Sequence, residues 1–339
     1  MRKWILGTLV FALLLAVSAG VAAGLAWRAL NAPLTIAADG DWLRVPNGTS
    51  LRRVTAELGE RGLLEMPWLL ALYGGATGDA RRIHAGEYRV LPGTTPLTLL
   101  AKLIEGDVYL HQITIVEGSR FAEMLAALRA HPAIASSELD NDALMSALGA
   151  PGVHPEGQFF PDTYRFPSGT SDFDILKLAH EALTARLQAA WGKRSPDLRL
   201  ASEYEALILA SIIEKETSLA AERTLISGVF HERLRRNMRL QTDPTVIYGL
   251  GDTFDGDLRR RDLERDTPYN TYTRAGLPPT PIALPGAGSI EAAVTPEKTG
   301  ALYFVATALG DGSHYFSTTL EEHERAVREY LRRLRSQPP

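Results

Sequence analysis

Trp4 to Trp27 runs for 24 residues without a charged side chain, bounded by Arg2, Lys3 and Arg28. At 1.5 Å per residue, a helix of that length covers about 36 Å, against a bilayer core of roughly 30 Å. The run has no polar face, so it does not fit a helix half-buried in a soluble core. A membrane-spanning anchor fits its length and also the two terminal indoles, because Trp favours the membrane interface. Arg2 and Lys3 favour a cytoplasmic N-terminus. The competing reading is a cleaved signal peptide, with small residues at Ser18-Ala19-Gly20 and Val21-Ala22-Ala23 as peptidase sites. A signal-peptide apolar core is usually about 7–15 residues, and this run is longer. Both readings carry residues 32–339 across the membrane.

At 339 residues the chain has length for roughly two domains. Lys and Arg total 36 against 40 Asp and Glu, a net charge of −4, which argues against a nucleic-acid binder. Cysteine is absent, which removes disulfide scaffolds, thiolate metal sites, cysteine nucleophiles and a lipid-modified N-terminal cysteine. No phosphate-binding glycine loop, His-Glu-x-x-His or Gly-x-Ser-x-Gly occurs. The eight histidines are scattered without metal-ligand spacing, and His231, His314 and His323 read as structural or surface groups. No cofactor or metal is expected. The Arg233 to Arg239 cluster and Arg259-Arg260-Arg261 read as solvated, with contact to an anionic polymer as the alternative.

After the anchor a small theme recurs. Val45-Pro46-Asn47-Gly48-Thr49-Ser50 leads into Leu51, Val54 and Leu58, and Val90-Leu91-Pro92-Gly93-Thr94-Thr95 into Leu97, Leu99, Leu100 and Leu103. Ile115-Val116-Glu117-Gly118-Ser119 leads into Phe121, Met124, Leu125 and Leu128, and Phe166-Pro167-Ser168-Gly169-Thr170-Ser171 into Phe173, Ile175, Leu176 and Leu178. Each reads as a strand end, a glycine turn, a hydroxyl cap and an amphipathic helix. The first two copies, over residues 41–108, predict a small α+β module. It could be a structural spacer or a glycan-binding module. Residues 120–200 read as mostly helical, broken from Pro151 to Gly169. That break holds His154-Pro155-Glu156-Gly157-Gln158-Phe159-Phe160-Pro161-Asp162-Thr163-Tyr164, with too many prolines for a helix interior and too many aromatics for a linker. An ordered, packed loop is expected.

In Ser202 to Leu240, Leu207, Ala210, Ser211, Glu214, Ser218 and Ala221 recur at helical spacing and share one face. That face is small and apolar except for Glu214, while Lys215 and Glu216 point about 100° and 200° away. Burial would raise the Glu214 carboxyl and keep it protonated near neutrality, as a general acid requires. The alternative is an ion pair with Arg233, Arg235, Arg236 or Arg239. Downstream, Leu240-Gln241-Thr242-Asp243-Pro244 and Pro268-Tyr269-Asn270-Thr271-Tyr272-Thr273 are followed by Gly276-Leu277-Pro278-Pro279 and a further proline- and glycine-rich stretch to Gly288. Amides, hydroxyls and aromatic rings on a proline-stiffened loop suit a sugar-binding groove; an extended covering loop is the other reading. Leu302 to Ala306 and His314 to Ser317 flank a glycine-rich turn and predict a hairpin, and Leu320 to Arg335 a charged, solvated helix.

These segments carry a resemblance. Ala210-Ser211-Ile212-Ile213-Glu214-Lys215-Glu216-Thr217, Arg239 to Gly249, Tyr269-Asn270-Thr271-Tyr272, Glu156 to Tyr164 and Gly276-Leu277-Pro278-Pro279 resemble, in order, the YceG-like family of endolytic murein transglycosylases, over about residues 40–335. Two departures are Thr280, where a glycine is usual after the paired prolines, and Gln158, where a bulkier residue is common. The resemblance implies an α+β chain: anchor at 1–31, LysM-like subdomain at 32–110, and mixed α/β catalytic domain at 111–339 whose helix carries the catalytic Glu214. It implies a bacterial inner-membrane protein, single-pass, facing the periplasm, that cleaves the bond between N-acetylmuramic acid and N-acetylglucosamine inside peptidoglycan strands and leaves a 1,6-anhydro end. Ser211, Gln241, Thr242, Asp243, Tyr269, Asn270 and Tyr272 are the expected substrate contacts, with Asp243 alternatively capping or orienting its loop. Peptidoglycan synthases, the penicillin-binding proteins, are the implied partners, and nucleic acid is not. A muramidase of similar fold and a non-catalytic glycan-binding scaffold are the alternatives.

Overall fold

The structure is a computed structural model and describes residues 2–336. The orientation read from Arg2 and Lys3 rests on side chains outside what is described. The chain divides into two compact units, Met1–His111 with Arg165–Gly169, and Gln112–Tyr164 with Thr170–Pro339.

The first unit opens with α1 (Arg2–Asn31), whose apolar surface stays exposed through Leu25 and Trp27. It continues through β1 (Asp41–Val45), α2 (Leu51–Glu60), α3 (Pro67–Thr77), β2 (Gly86–Val90) and α4 (Pro96–Glu105). β1 and β2 pair antiparallel, with Leu43 opposite Tyr88 and Val45 opposite Gly86. Alternation on β1 sends Leu43 and Val45 inward, where they meet Leu51, Val54 and Leu58 of α2 and Leu99, Leu100 and Leu103 of α4 in one core. The Ser50 hydroxyl accepts the Arg53 N–H, and Thr95 with Thr98 forms a reciprocal capping box. Leu30 and Leu34, which precede the expected span of 41–108, belong to this core as well.

The second unit contains β3 (Leu110–Thr114, which begins in the first), α5 (Phe121–Ala130), β4 (Ile134–Ala135), α6 (Asn141–Ala147), β5 (Thr163–Pro167, which ends in the first), β6 (Thr170–Ser171) and α7 (Asp172–Gly192). α8 (Glu203–Glu216), α9 (Arg223–Arg235), α10 (Asp243–Leu250), α11 (Arg260–Glu264), α12 (Ala287–Val294), β7 (Tyr303–Ala306), β8 (His314–Ser317) and α13 (Leu320–Ser336) follow. β3 pairs with β5, β4 with β6 in parallel, and β7 with β8 antiparallel as the expected hairpin. α13 is the expected charged helix and buries no residue.

α8 is the hub of this unit. Every residue from Ala206 to Ile213 is buried, so the helix is covered on all sides, and α7, α9, α10 and α12 pack on it. Ser202 caps its start by accepting the Glu205 N–H. It ends at Glu216 because Thr217 is extended, at φ −144° and ψ 138°. The helical face read as far as Ser218 and Ala221 therefore stops at Glu214; a short 3-10 turn over Ala220–Glu222 and a separate helix, α9, follow.

The four theme glycines, Gly48, Gly93, Gly118 and Gly169, all adopt positive φ between 74° and 88°. A side chain is strained there, which is why each turn uses glycine. Three copies carry the expected hydroxyl cap, at Ser50, Thr95 and Ser171. The third differs: Ser119 Oγ donates to the Val116 carbonyl, and Glu123 accepts the Arg120 N–H instead. Leu178 departs too, being 51% exposed rather than packed. The proline-rich break at 151–169 is a packed loop as far as Asp162, with Phe159 and Phe160 buried, but its end is not loop: Thr163–Pro167 forms β5 by pairing with β3. Its Glu156 is buried as well, accepting the Phe121 N–H at 2.9 Å and the Tyr248 hydroxyl at 3.2 Å.

Candidate active site

The last turn of α8 and the Leu240–Asp243 turn are brought together from 26 residues apart. Thr242 is buried, and its hydroxyl donates to a carboxylate oxygen of Glu216. Thr242 is held in turn by the Thr271 hydroxyl, which accepts the Thr242 N–H at 3.1 Å. Gln241 sits at φ 51°, a left-handed conformation at the bend, and its side-chain oxygen accepts from Arg233 at 3.3 Å. Asp243 starts α10 and accepts the Tyr272 hydroxyl at 2.5 Å.

These groups line one cleft of about 420 Å³, with Glu216, Arg233, Leu240, Gln241, Asp243, Tyr272, Tyr303, Phe304, Leu320 and His323 as its walls. That volume lies in the range of about 300–1,000 Å³ common for ligand sites. Burial pushes the Glu216 carboxyl up to about 7, and the negative Asp243 adds to the rise; the Thr242 hydrogen bond and Arg233 pull against it. Glu216 is also the last residue of α8, where the negative end of the helix dipole disfavours an anion. Burial and the Asp243 bond likewise hold the Tyr272 phenol protonated, well above its ordinary range. Near neutral pH the cleft therefore holds a carboxylic acid able to give a proton and, once ionised, to take one back.

Glu214 lies elsewhere. Its side chain is 7% exposed, one carboxylate oxygen accepts the Gly286 N–H at 3.0 Å, and the other is 3.9 Å from the Arg223 guanidinium. Gly286 is the N-cap of α12, so Glu214 also faces the positive end of that helix. The ion-pair alternative is thus met, with Arg223 in place of Arg233, Arg235, Arg236 or Arg239. Glu216 is thus the glutamate that lines this cleft, while Glu214, the expected acid, sits beside Gly286 and Arg223.

Of the other expected contacts, Gln241, Asp243 and Tyr272 line the cleft, and Thr242 stands behind Glu216. Ser211 does not reach it: it is fully buried, donating to the Ile208 carbonyl and accepting the Ile282 N–H at 3.0 Å. Asn270 is also fully buried, and its amide donates to the carbonyls of Leu263 and Arg265 at 3.0 and 2.7 Å while its oxygen accepts the Tyr272 N–H. Its role is to hold the loop that presents Tyr272. Tyr269 stacks edge-on against Tyr248, and its hydroxyl lies 2.9 Å from that of Thr280.

Arg233, expected in a solvated cluster, is buried. It donates to the carbonyls of Leu302, Arg239 and Leu240, tying α9 to the cleft walls. Two of these carbonyls lie just after α9, and only that of Leu302 is remote in sequence. Arg259, Arg260 and Arg261 are at the surface, as expected, paired with neighbouring acidic groups. His231 is buried against the Ala293 carbonyl, and His314 pairs with Glu222 at 2.7 Å, both structural. His323 stacks on Tyr303 at the cleft wall. Among the described residues no three His, Asp or Glu side chains are grouped as a metal would need.

The sequence model of the YceG-like family matches residues 43–329. A Bacillus subtilis protein named endolytic murein transglycosylase is 33% identical over 309 residues, covering 85% of this chain and 84% of that one. A Streptococcus pneumoniae protein of the same name is 26% identical over 322 residues, covering 85% of this chain and 58% of that longer one. The crystal structure of a YceG-like protein from Listeria monocytogenes is 30% identical and superposes with a TM-score of 0.53, covering 85% of this chain and 99% of that one.

Proposed function

The chain belongs to the YceG-like family, and from that premise we propose that it is a lytic transglycosylase cutting peptidoglycan strands internally, with Glu216 as its acid and base. The observation that carries the assignment is the Glu216 carboxyl, raised to about 7 in a cleft shared with Gln241, Asp243 and Tyr272.

Neutral Glu216 protonates the glycosidic oxygen between N-acetylmuramic acid and N-acetylglucosamine. The bond to the anomeric carbon breaks and an oxocarbenium-like centre develops. Glu216, now ionised, accepts the proton of the muramyl C6 hydroxyl, whose oxygen closes the 1,6-anhydro ring. No water is consumed, and one carboxyl serves both steps, whereas ordinary glycosidases use a pair. Burial, with Asp243 adding to it, holds the resting acid neutral; Asp243 also places negative charge near the cationic centre, while Gln241 and Tyr272 position the sugar. Residues 32–110 act as a LysM-like glycan-binding subdomain and 111–339 as the catalytic domain. α1 anchors the protein in the bacterial inner membrane with its N-terminus cytoplasmic and the rest periplasmic. Peptidoglycan synthases of the penicillin-binding type are the partners this reading supplies.

Digestion of purified sacculi by Glu216→Gln and Glu214→Gln, followed by mass spectrometry, tests the assignment. Glu216→Gln should fold and lose activity by about 10²-fold or more, with a far smaller loss from Glu214→Gln. The opposite ranking would return the role to Glu214. Wild-type products should end in anhydro sugars; ends heavier by one water would mean a muramidase, and binding without soluble product would mean a scaffold.

A further inference from the structure

α3 is a surface helix with the composition of a buried one. No charge occurs from Pro67 to Gly78, and its sequence is Pro-Trp-Leu-Leu-Ala-Leu-Tyr-Gly-Gly-Ala-Thr. Leu69, Leu70 and Gly74 face the core of the first unit. Trp68 and Leu72, four residues apart on another face, are 65% and 62% exposed. Water-facing helix surfaces are ordinarily polar, so this strip calls for an apolar or interfacial covering.

The covering is indicated by α1. α1 packs on α3 and α4, with Leu30 and Leu34 inside the same core as Leu69 and Leu70 and with Ala26 and Ala29 against it. Ala29, Leu30, Met66 and Leu69 line one hollow, so the start of α3 lies beside the end of α1. The helix also enters the folded unit with no linker: it is continuous to Asn31, and Leu34 is already buried. Trp27, one turn before, is 60% exposed, at the position where an indole marks the membrane interface. A unit joined this closely to a spanning helix meets the headgroups directly.

We propose that α3 is an interfacial helix, inserting Trp68 and Leu72 into the headgroup and upper acyl region of the leaflet from which α1 emerges. The partner is the lipid bilayer itself. The tryptophan suits it, with an amphipathic ring that settles at headgroup depth, and the absence of charge on α3 removes the cost of desolvating an ion. The inference rests on reading α1 as a membrane-spanning helix.

The chain has no cysteine, so single-cysteine variants of the full-length protein can be spin-labelled without background. Leu14→Cys, Leu72→Cys and Arg53→Cys, in vesicles of phosphatidylethanolamine and phosphatidylglycerol, would be compared for relaxation by oxygen and by a water-soluble nickel chelate. Leu14 reports the anchor, and Arg53 is an exposed polar position on α2. Expected is oxygen dominance at Leu14 and Leu72 and nickel dominance at Arg53. Oxygen dominance at Leu14 with nickel dominance at Leu72 would overturn the interfacial role while leaving the anchor intact. Shielding of Leu72 from both reagents would overturn it in favour of a protein partner or a second copy. Nickel dominance at Leu14 would remove the anchor, and the proposal with it.

Discussion

Glu216 and Glu214 are two residues apart on one helix, yet they have different surroundings. A helical wheel correctly picks out Glu214 as the carboxylate on the small, buried face, but burial there is burial against the Gly286 turn. The wall opposite Glu216 comes from Thr242, Asp243 and Tyr272, which no local periodicity reveals. The motifs are therefore legible in the sequence, whereas the placement of Glu216, rather than Glu214, in this cleft is not. The raised acid gives two predictions. Its charge-dependent cause is Asp243, so Asp243→Asn should lower the Glu216 value and move the alkaline limb of the pH–rate profile, near 7 in the wild type, to lower pH. An unmoved limb would separate that profile from Glu216. The second concerns stability. A carboxyl near 7 when folded and 4.5 when unfolded binds its proton more tightly in the native state. Its stabilising contribution is full below 4.5 and is lost as pH rises through 7. Glu216→Gln has no such loss, so its stability relative to wild type should improve across that window, by at most about 1.4 kcal/mol per pH unit. Denaturant titrations at both ends of the window would measure this, and a constant difference would refute the shift.

At the scale of elements, the strand–glycine–cap–helix theme is the most readable part of the sequence. Leu58, Leu103 and Leu128, each ten residues after its glycine, are all fully buried. Local chemistry suffices there because turn, cap and apolar stripe lie within a dozen residues. Long-range ties are not readable this way. Arg233 looks like one charge in a basic run, but besides the nearby Leu240 carbonyl it holds that of Leu302, 69 residues away. Arg233→Lys should not rescue it, since an ammonium cannot reproduce the planar fork; a loss of about 2 kcal/mol or more is expected from orphaned carbonyls, read as a shift in denaturation midpoint. Gly228, inside α9, is equally opaque to sequence. A methyl group there would overlap the Glu297 backbone carbonyl, which cannot rotate away. Gly228→Ala should cost about 1–3 kcal/mol by overpacking, despite the better helix propensity of alanine. A neutral or stabilised variant would mean that the 297 segment yields.

For the whole molecule, the apolar fraction of 45% conceals one long apolar helix whose last turn is also core. The two small-residue peptidase sites end at Gly20 and Ala23, both before Ala26, Ala29 and Leu30. A chain starting at Gly24 should keep the first unit folded, whereas one starting at Thr35 loses Leu30 and Leu34. The shorter chain should be less stable by several kcal/mol, at about 2–5 kcal/mol for each large aliphatic side chain removed from a core. Thermal unfolding followed by circular dichroism would compare them, and identical transitions would show that those leucines are dispensable. The continuity of α1 into that core also has a mechanical meaning. A flexible tether lets a module sample a hemisphere, but a helix built into its core leaves mainly rotation about the helix axis and lateral drift with the lipid. On the proposed reading of α1 as a spanning anchor and of the first unit as a glycan binder, that unit would be held at a fixed height, and only glycan in one thin layer above the membrane would come within its reach.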